Sequence, residues 1–202
     1  MPNNDVFASV AQYYDELVAE HGDSPRSADY GDPRSQQAKF RVLTELDDLR
    51  GARLLDVGCG LAHFADHLDS LGLDVRYTGV DLSPAMVALA KERRPDLDVR
   101  VANILEEDLG EFDVVMANGI FYLLGEEAEA LMRRLVERMW AHTGRALAFN
   151  SLSAWGPDPE AGEFYADPAA TLAWTRELTP YLALRHDYHT RDFTIYAYRD
   201  RR

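Results

Sequence analysis

The sequence has little cysteine, few basic residues and no long apolar segment. Its 202 residues include one cysteine, so no internal disulfide can form. Lysine and arginine number 21 against 35 acidic residues, which gives a formal net charge of -14 at pH 7. Such a molecule should be repelled by phosphate backbones, and this disfavours nucleic acid as a partner. No histidine or cysteine pair has ligand spacing on a recognisable element, so we expect no metal.

The sequence also shows no apolar segment that suits a membrane span or a targeting signal. No apolar run reaches about 18 residues and none follows Met1, so we expect a cytoplasmic protein without membrane contact. Hydrophobic residues make up 47% and charged residues 28%, which is typical of a globular domain. The length suits one well-buried domain and is too short for two. The oligomeric state stays open.

The central pattern runs from Arg53 to His63, where a buried strand turns into a helix. Mostly apolar residues lead to Gly58 and Gly60, with Cys59 between them. Apolar residues at helical spacing then follow at Leu61, Phe64, Ala65, Leu68 and Leu71. Glycines let the backbone approach a ligand closely, and a helix start offers unpaired amide groups. The pattern predicts a nucleotide-binding strand, turn and helix, in which Cys59 contributes backbone groups rather than a nucleophile.

Two acidic residues end consecutive predicted strands. Asp56 ends an apolar strand, and a buried carboxylate there needs a cation or several hydrogen-bond donors. A pyrophosphate at this turn would be repelled, whereas a ligand with an ammonium and a sulfonium, such as S-adenosylmethionine, would be attracted. Asp81 follows about 20 residues beyond the glycines, where an acid accepts hydrogen bonds from ribose hydroxyls. Asp81 also precedes Ser83 and Pro84, which suit a helix start, and both interpretations can hold together.

Three segments contain these strand ends in a distinctive order. They are Leu-Leu-Asp-Val-Gly-Cys-Gly at 54–60, Gly-Val-Asp-Leu-Ser-Pro at 79–84 and Phe-Asp-Val-Val-Met-Ala-Asn at 112–118. Together they resemble the successive motifs of class I S-adenosylmethionine-dependent methyltransferases, over residues 35–150 of the chain. The resemblance implies S-adenosylmethionine as cofactor and S-adenosylhomocysteine as product. That family usually has glycine where Ala62 stands, so we expect an ordinary negative φ at Ala62.

The resemblance also implies a fold class. It is a Rossmann-like α/β fold with a doubly wound seven-stranded sheet, mostly parallel, that ends in an antiparallel hairpin. The last two β-rich runs, Leu182 to His189 and Phe193 to Arg199, are separated by three residues, and such a short connection requires an antiparallel hairpin. We expect one domain over 1–202: a helical cap at 1–50, a cofactor-binding core at 51–152, a lid loop at 153–166, and a helix with the hairpin at 167–202.

The predicted cap holds candidates for contact with cofactor and acceptor. Helical spacing places one helix between Val6 and His21, and a second helix contains Val42, Leu43, Leu46 and Leu49. These helices either cover one sheet edge or, as the resemblance implies, close over the cofactor and substrate. In the second case the candidates are Tyr13, Tyr14, Tyr30 and Gln36. Arg34 and Arg41 are either partners for the cofactor's carboxylate or solvated surface arginines.

Later strand ends supply further cofactor candidates. The strand Val99 to Ala102 leads to Asn103, for which the resemblance implies an adenine contact; a turn role is the alternative. Ile104 and Leu82 are expected to sandwich the adenine ring. Asn118 follows the fourth strand at the ligand-facing edge of the sheet, where its carbonyl can accept from the donor's ammonium.

Aromatic residues near these strand ends are the remaining acceptor candidates. Phe121 and Tyr122 are either cavity wall or core, and we favour the wall. The loop Ser153 to Ala166 is long for a compact domain and contains Trp155, so we interpret it as a substrate lid rather than a surface excursion. We therefore add Phe121, Tyr122 and Trp155 to Tyr13 and Tyr14 as substrate-binding candidates.

Methyl transfer from a sulfonium is an in-line displacement that depends on holding the reactants in near-attack geometry. A general base is needed only if the acceptor must lose a proton. We choose His63 as the candidate base because it follows the glycine turn; His21, His186 and His189 are further histidines with structural or exposed roles.

The sequence favours methyl transfer to a small-molecule acceptor, because the chain is acidic, its core compact and a lid is predicted. A protein or nucleic-acid methyltransferase would need an open groove with suitable charge. A non-catalytic cofactor-binding or interaction protein is a further alternative. An NAD-dependent oxidoreductase is disfavoured by Asp56 and by the terminal hairpin.

Overall fold

Short apolar runs form the strands of one mixed sheet in the computed structural model, which describes residues 3–202. The strands are β1 (Arg53–Val57), β2 (Arg76–Asp81), β3 (Asp98–Val101), β4 (Phe112–Ala117), β5 (Thr143–Leu152), β6 (Leu182–Arg185) and β7 (Asp192–Tyr198). Their order is β3-β2-β1-β4-β5-β7-β6. The pairs among β1 to β5 are parallel, whereas β7 runs antiparallel to both β5 and β6. The predicted seven-stranded, mostly parallel fold with an antiparallel ending is confirmed.

Helices cover both faces of this sheet. They are α1 (Asn3–His21), α2 (Pro33–Thr44), α3 (His63–Ser70), α4 (Pro84–Arg93), α5 (Ala128–Ala141) and α6 (Pro168–Thr175), with a 3-10 helix at Pro25–Ala28. Side chains alternate along each strand, so neighbours enter different cores. Leu55 packs with residues of α5, while its neighbour Leu54 packs with residues of α2, α3 and α4. This double layering leaves the carboxyl ends of the parallel strands as the open edge.

Helix starts follow the capping signals of the sequence. The Ser83 side chain accepts a hydrogen bond from the backbone N–H of Met86 at 3.0 Å, with Pro84 at the first helical position. Asp167 accepts from Ala170 N–H at 2.8 Å in front of α6. Each bond satisfies a helix-start donor and is worth about 1 kcal/mol. The helix start predicted at Ser83 and Pro84 is therefore confirmed.

The connection between β6 and β7 is longer than the three residues expected. β6 ends at Arg185 and β7 begins at Asp192, so six residues, 186–191, join them. They leave the ladder because their side chains bind elsewhere: His186 lies 2.7 Å from the Ser153 hydroxyl and His189 lies 3.2 Å from the Ser35 hydroxyl. The antiparallel pairing is as predicted, but the boundaries of the connection were wrong.

Three leucines assigned to helices lie outside them. Leu46 and Leu49 follow the end of α2 at Thr44, yet both are buried, because the chain stays against the sheet after the helix ends. Leu71 follows α3 and is 53% exposed. The helical face predicted to extend through Leu71 therefore stops at Leu68, one turn earlier.

The segment 153–166 crosses back toward the sheet. Ser153 and Ala166 form an isolated bridge that closes it, and Phe164 N–H donates to Tyr122 O at 2.8 Å. Its action as a lid stays a prediction, as do the limits of the other predicted segments. The first two residues of the predicted cap lie outside the described part of the chain. Within residues 3–202, no helix combines the length and the apolarity that crossing a membrane requires.

Candidate functional site

A cavity of about 590 Å³ opens at the carboxyl ends of β1, β2 and β4. The cap, formed by α1, α2 and the segment between them, contributes the opposite wall. Binding pockets for small ligands range over roughly 300–1,000 Å³, so the cavity has room for a nucleoside-sized ligand and a small second molecule. Every predicted cofactor residue lines it: Asp56, Gly58, Cys59, Gly60, Asp81, Leu82, Asn103, Ile104 and Asn118.

The glycine turn forms the floor of the cavity. Gly58 has φ 74, and a Cβ built on it would lie 2.3 Å from Ile120 Cγ2, so only glycine fits without a shift. The N–H groups of Gly58 and Cys59 both donate to Val80 O, at 2.8 and 3.1 Å, and fix the turn against β2. Burial raises the pKa of the Cys59 thiol well above its usual range, so it stays protonated.

Ala62 adopts the left-handed conformation that its side chain disfavours. Its φ is 58, so the expectation of a negative φ was wrong. The turn imposes this conformation because Ala62 N–H donates to Cys59 O at 2.9 Å and the methyl group is fully buried. A non-glycine residue in this region costs about 1–2 kcal/mol, which the surrounding packing offsets.

Asp56 is a carboxylate buried at the end of β1. Its side chain is 3% exposed, and Tyr77 O–H donates to its Oδ2 at 2.6 Å. Burial raises the pKa of Asp56 from 3.8 to about 7, with a smaller contribution from the charge of Asp81. A group in this state is poised to take a cation, because a nearby positive charge would restore its ionised form.

Asp81 ends β2 and organises the turn beside it. Its Oδ2 accepts from Gly60 N–H at 2.8 Å, and its Oδ1 accepts from Ser83 N–H at 2.9 Å. Burial raises the pKa of Asp81, and these backbone donors oppose that effect. A carboxylate has about four lone-pair sites, so two remain for ligand hydroxyl groups. The ribose role and the helix-start role of Asp81 are compatible in this geometry.

The predicted adenine residues lie along one wall of the cavity. Ile104 is 3% exposed, and Leu82 is partly buried against the same core. The Asn103 side-chain carbonyl accepts from Leu105 N–H at 3.0 Å, which is the turn interaction considered as its alternative role. One lone pair of that carbonyl stays available, so an adenine contact by Asn103 stays a prediction.

Asn118 belongs to an amide network at the end of β4. Its Nδ2 donates to the Tyr30 hydroxyl at 2.7 Å, and its Oδ1 accepts from Asn150 Nδ2 at 2.6 Å. Asn150 Oδ1 in turn accepts from Gly119 N–H at 2.7 Å. The carbonyl predicted for the donor's ammonium is thus engaged by Asn150, a residue missed in the sequence. Its signal was a polar side chain ending the apolar run before it.

A hydroxyl network lies on the cap side of the cavity. The hydroxyls of Tyr14 and Tyr122 are 2.7 Å apart, and Tyr122 O–H donates to Asp29 Oδ2 at 2.9 Å. Burial raises the pKa of both tyrosines above the usual range, so each remains a neutral phenol. Both line the cavity, while their contact with an acceptor stays a prediction, and Asp29 joins them as a residue that the sequence did not reveal.

The other predicted acceptor residues divide between the cavity wall and positions away from it. Phe121 lines the cavity but is only 1% exposed, and its ring packs edge-on against Phe149. Tyr13 is turned away and donates to Asp29 at 3.0 Å. Trp155 is 56% exposed, and its Nε1 donates to Asp167 at 3.1 Å, outside the cavity lining. The structure does not bring Tyr13 and Trp155 to the cavity.

His63 and His189 both line the cavity, with different partners. His63 Nε2 lies 3.1 Å from Asp23 Oδ1, and Arg93 Nε lies 2.8 Å from the other oxygen of Asp23. This cluster ties the segment after α1 to α3 and α4. His189 Nδ1 lies 2.6 Å from Asp192 Oδ2, which is 3% exposed. The sequence pattern does not distinguish His189 from the other histidines, because its pairing with Asp192 depends on how the connection folds against β7.

Basic residues at the cavity differ from those predicted. Arg34 and Arg41 are exposed and do not line it, whereas Lys39 and Arg191 do. Lys39 Nζ lies 2.8 Å from Asp192, and Gln36 is buried beside it on α2. Tyr30, the remaining cap candidate, lies under Lys39, whose Nζ is 5.3 Å from the ring centre. Among residues 3–202, no group of three or more His, Cys, Asp or Glu side chains suits a metal ion.

Sequence comparisons find methyltransferases. Residues 55–145 match a family model described as a methyltransferase domain. A Mycobacterium tuberculosis protein assigned as a methyltransferase is 33% identical over 150 residues, which cover 69% of this chain and 89% of that protein. A magnesium-protoporphyrin O-methyltransferase from Rhodobacter capsulatus is 32% identical over 98 residues, 46% of this chain and 43% of that enzyme. The match with the second relative therefore spans less than half of its length.

Solved structures share the fold at lower identity. A magnesium protoporphyrin IX methyltransferase from Synechocystis, crystallised with bound S-adenosylmethionine, superposes with a TM-score of 0.71 at 14% identity and covers 96% of this chain and 97% of its own. The CcbJ methyltransferase from Streptomyces caelestis gives a TM-score of 0.65 at 18% identity, with 92% and 98% of the two chains covered. At these identities the likeness concerns the fold.

Proposed function

The chain belongs to the class I S-adenosylmethionine-dependent methyltransferases, and we propose that it methylates a small neutral or cationic molecule. One observation supports this most: a single cavity joins the buried acids of the glycine turn to the hydroxyl network of Tyr14 and Tyr122. A methyl donor and its acceptor must share one enclosed space, because transfer requires near-attack geometry.

The donor half of the cavity suits S-adenosylmethionine. We assign Asp56 to the donor's ammonium, because its buried carboxylate is compensated in the described structure by one phenol and attracts a cation. Asp81 would accept from the ribose hydroxyls with its two remaining lone-pair sites. Leu82, Asn103 and Ile104 would enclose the adenine. Bound there, S-adenosylmethionine supplies an activated methyl group on a sulfonium.

The protein's own contribution is position and exclusion of water. The glycine turn is fixed by backbone bonds to Val80, and the cap is attached to the core through Asp15, which accepts from the Ala85 N–H at 3.1 Å and from the Ser83 hydroxyl. A fixed floor and an anchored cap hold two ligands in one orientation. Effective concentrations gained in this way can supply several kcal/mol of rate acceleration, on the order of 7–11 kcal/mol at best.

Charge on the acceptor side favours neutral or cationic acceptors. Its acids outnumber its lysines and arginines: Asp29, Asp32, Glu160, Glu163 and Asp192 against Lys39 and Arg191. Lys39 is paired with Asp192, and Arg191 lies 2.9 Å from Glu160 and 3.4 Å from Glu163. A carboxylate or phosphate on the acceptor would meet this excess of negative charge. A neutral or cationic molecule would not be repelled.

A matched set of phenols tests this proposal. Tyramine, 4-ethylphenol and 4-hydroxyphenylacetate present the same hydroxyl with a positive, neutral or negative side chain. Formation of S-adenosylhomocysteine should give a higher kcat/KM for the first two than for the third. The variant Glu160→Gln should bring the kcat/KM values of the three phenols closer together, because it removes one acid from the cavity wall. A preference for 4-hydroxyphenylacetate would contradict the proposed acceptor class.

The same assay separates the alternatives. A non-catalytic binding protein would bind S-adenosylhomocysteine and methylate none of the small molecules. A protein methyltransferase would methylate peptides and ignore the phenols. We expect neither nucleic acid nor a membrane as partner, because the chain has a net charge of -14; the cytoplasmic location stays a prediction.

A further inference from the structure

We propose that His189 is the general base of the acceptor site, and that the acceptor carries the methylated atom as an O–H or N–H group. Asp192 is the positioning residue for this histidine. The inference rests on the proposed function, since it concerns the acceptor that shares the cavity with the donor.

Two contacts of His189 bear on which ring nitrogen is basic. Its Nδ1 lies 2.6 Å from Asp192 Oδ2, and Arg191 N–H points at the same nitrogen from 3.2 Å. These contacts require opposite tautomers, and we assign the proton to Nδ1, because a bare nitrogen 2.6 Å from a carboxylate oxygen would be repelled. The lone pair of the neutral ring is then on Nε2, which lies 3.2 Å from the Ser35 hydroxyl. Ser35, like His189, lines the cavity.

A chain of contacts connects this histidine to the donor end of the cavity. Asn118, at the end of β4, donates to the Tyr30 hydroxyl at 2.7 Å. Lys39 Nζ lies 5.3 Å from the centre of the Tyr30 ring and 2.8 Å from Asp192. Asp192 holds His189. Tyr30, Lys39 and Asp192 therefore link His189 to the end of β4.

The charged groups around His189 are paired with one another. Asp192 stays ionised, because His189 and Lys39 hold its pKa below the usual range despite burial. Lys39 balances the charge of Asp192, and Arg191 is occupied by Glu160 and Glu163. Tyr188, on the same connection, bonds the Thr194 hydroxyl at 2.8 Å, and burial keeps it neutral.

Other groups at the cavity are less suited to this task. His63 lines the cavity, but its Nε2 is bound to Asp23, which also pairs with Arg93. Tyr14 and Tyr122 remain neutral phenols because burial raises the pKa of each. Asp56 is assigned to the donor's ammonium. His189 combines a ring nitrogen that contacts a hydroxyl, a buried orienting acid and a place in the cavity lining.

The balance of the step fixes the acceptor chemistry. The acceptor oxygen or nitrogen uses a lone pair to bond the methyl carbon, while the electron pair of the carbon–sulfur bond returns to sulfur. His189 Nε2 takes the proton that the acceptor atom loses. His189 is 24% exposed, so this proton can pass to solvent before the next turnover. An acceptor without such a proton would gain nothing from the base.

The variant His189→Gln tests the role, with His186→Gln as matched control. Glutamine can still bond Asp192 and Ser35 but cannot take the proton. His186 lies on the same connection, bonds Ser153 and does not line the cavity. We expect kcat to fall by on the order of 10²–10⁴-fold in His189→Gln, with affinity for S-adenosylhomocysteine within twofold of wild type, and little change in His186→Gln. The wild-type kcat should rise with pH to a plateau, and this acid limb should disappear in His189→Gln.

Acceptor probes separate failure of this inference from failure of the proposed function. Phenol, tyramine and benzylamine carry the required proton; anisole and neutral pyridine do not. Methylation confined to the first three supports the inference. Methylation of pyridine at an equal rate, unaffected by His189→Gln, would overturn it and leave methyl transfer intact. Absence of both S-adenosylhomocysteine binding and turnover would instead remove the proposed function, and the inference with it.

Nitrogen-15 NMR of the histidine rings gives a readout independent of any acceptor. With S-adenosylhomocysteine bound, neutral His189 should be protonated at Nδ1 and bare at Nε2. The opposite tautomer would overturn the assignment of His189 as base, whichever probes are methylated.

Discussion

Replacing Asp56 by asparagine should stabilise the free protein and weaken donor binding at the same time. Burial raises the pKa of Asp56 from 3.8 to about 7, so between these values the folded state binds a proton that the unfolded state does not. The free energy of unfolding therefore includes a favourable contribution from protonated Asp56. This contribution is fully present below pH 3.8 and has disappeared once the pH has risen through 7. At about 1.36 kcal/mol for each pH unit, ionised Asp56 costs the fold about 4 kcal/mol at pH 8.

The asparagine variant avoids this cost and keeps a carbonyl to accept from Tyr77. Because burial of its amide also costs free energy, we expect it to be about 2–4 kcal/mol more stable than wild type at pH 8. The gain should shrink by more than half at pH 5, where most of the wild-type protein already holds the proton. Urea unfolding of the ligand-free proteins at both pH values measures the difference.

The variant Asp113→Asn provides a control of opposite sign. Asp113 accepts from Arg53 N–H at 2.7 Å, and this bond lowers its pKa. Its carboxylate therefore stabilises the fold above its ordinary pKa, so Asp113→Asn should destabilise at pH 8. If Asp56→Asn were also less stable than wild type at pH 8, the carboxylate would be structurally satisfied and its assignment to a cation would lose its physical basis.

Donor binding by the Asp56 variants should change in the opposite direction to stability. Loss of a charge-assisted bond to the ammonium should cost about 1.5–3 kcal/mol, or roughly 10- to 100-fold in the Kd of S-adenosylhomocysteine. In wild type, the affinity should fall about tenfold for each pH unit below 7, because Asp56 must lose its proton to bind the ammonium. Calorimetric titrations from pH 5 to pH 8 should show this slope in wild type and none in Asp56→Asn.

Two further substitutions test the floor of the cavity. Asp81→Ala should weaken S-adenosylhomocysteine binding by about 1–3 kcal/mol in a folded variant, because it removes the ribose acceptor and the bonds to Gly60 and Ser83. Calorimetry measures this loss, and unchanged affinity would exclude the ribose role. Gly58→Ala should lower the free energy of unfolding by about 2 kcal/mol more than Gly110→Ala does. Both glycines have positive φ, but only a Cβ at Gly58 would meet Ile120, at 2.3 Å. Equal losses of stability in the two variants would show that the turn adapts to the added methyl group.

Local patterns predicted the parts of the fold that depend on near neighbours in sequence. The run ending at Asp56 is apolar, and the chain turns at Gly58 and Gly60. Ser83 caps the helix that follows Asp81. Each of these predictions needed only a few adjacent residues. The same patterns predicted which residues line the cofactor half of the cavity, because parallel strands bring their carboxyl ends to one edge of the sheet.

Features set by distant contacts were not predictable from these patterns. The left-handed Ala62 depends on tertiary packing that holds a buried methyl group in an unfavourable conformation. His189 meets Ser35 across 154 positions of sequence, so local patterns could not predict this contact. The connection that holds His189 was also predicted too short, since its residues bind side chains outside the sheet.

Titration calorimetry with S-adenosylmethionine and S-adenosylhomocysteine, beside NAD, tests the central claim most directly. The account predicts that both sulfur compounds bind with one site per chain and that NAD does not, because its pyrophosphate would meet Asp56 and Asp81 at the glycine turn. Binding of NAD, without binding of either sulfur compound, would contradict it.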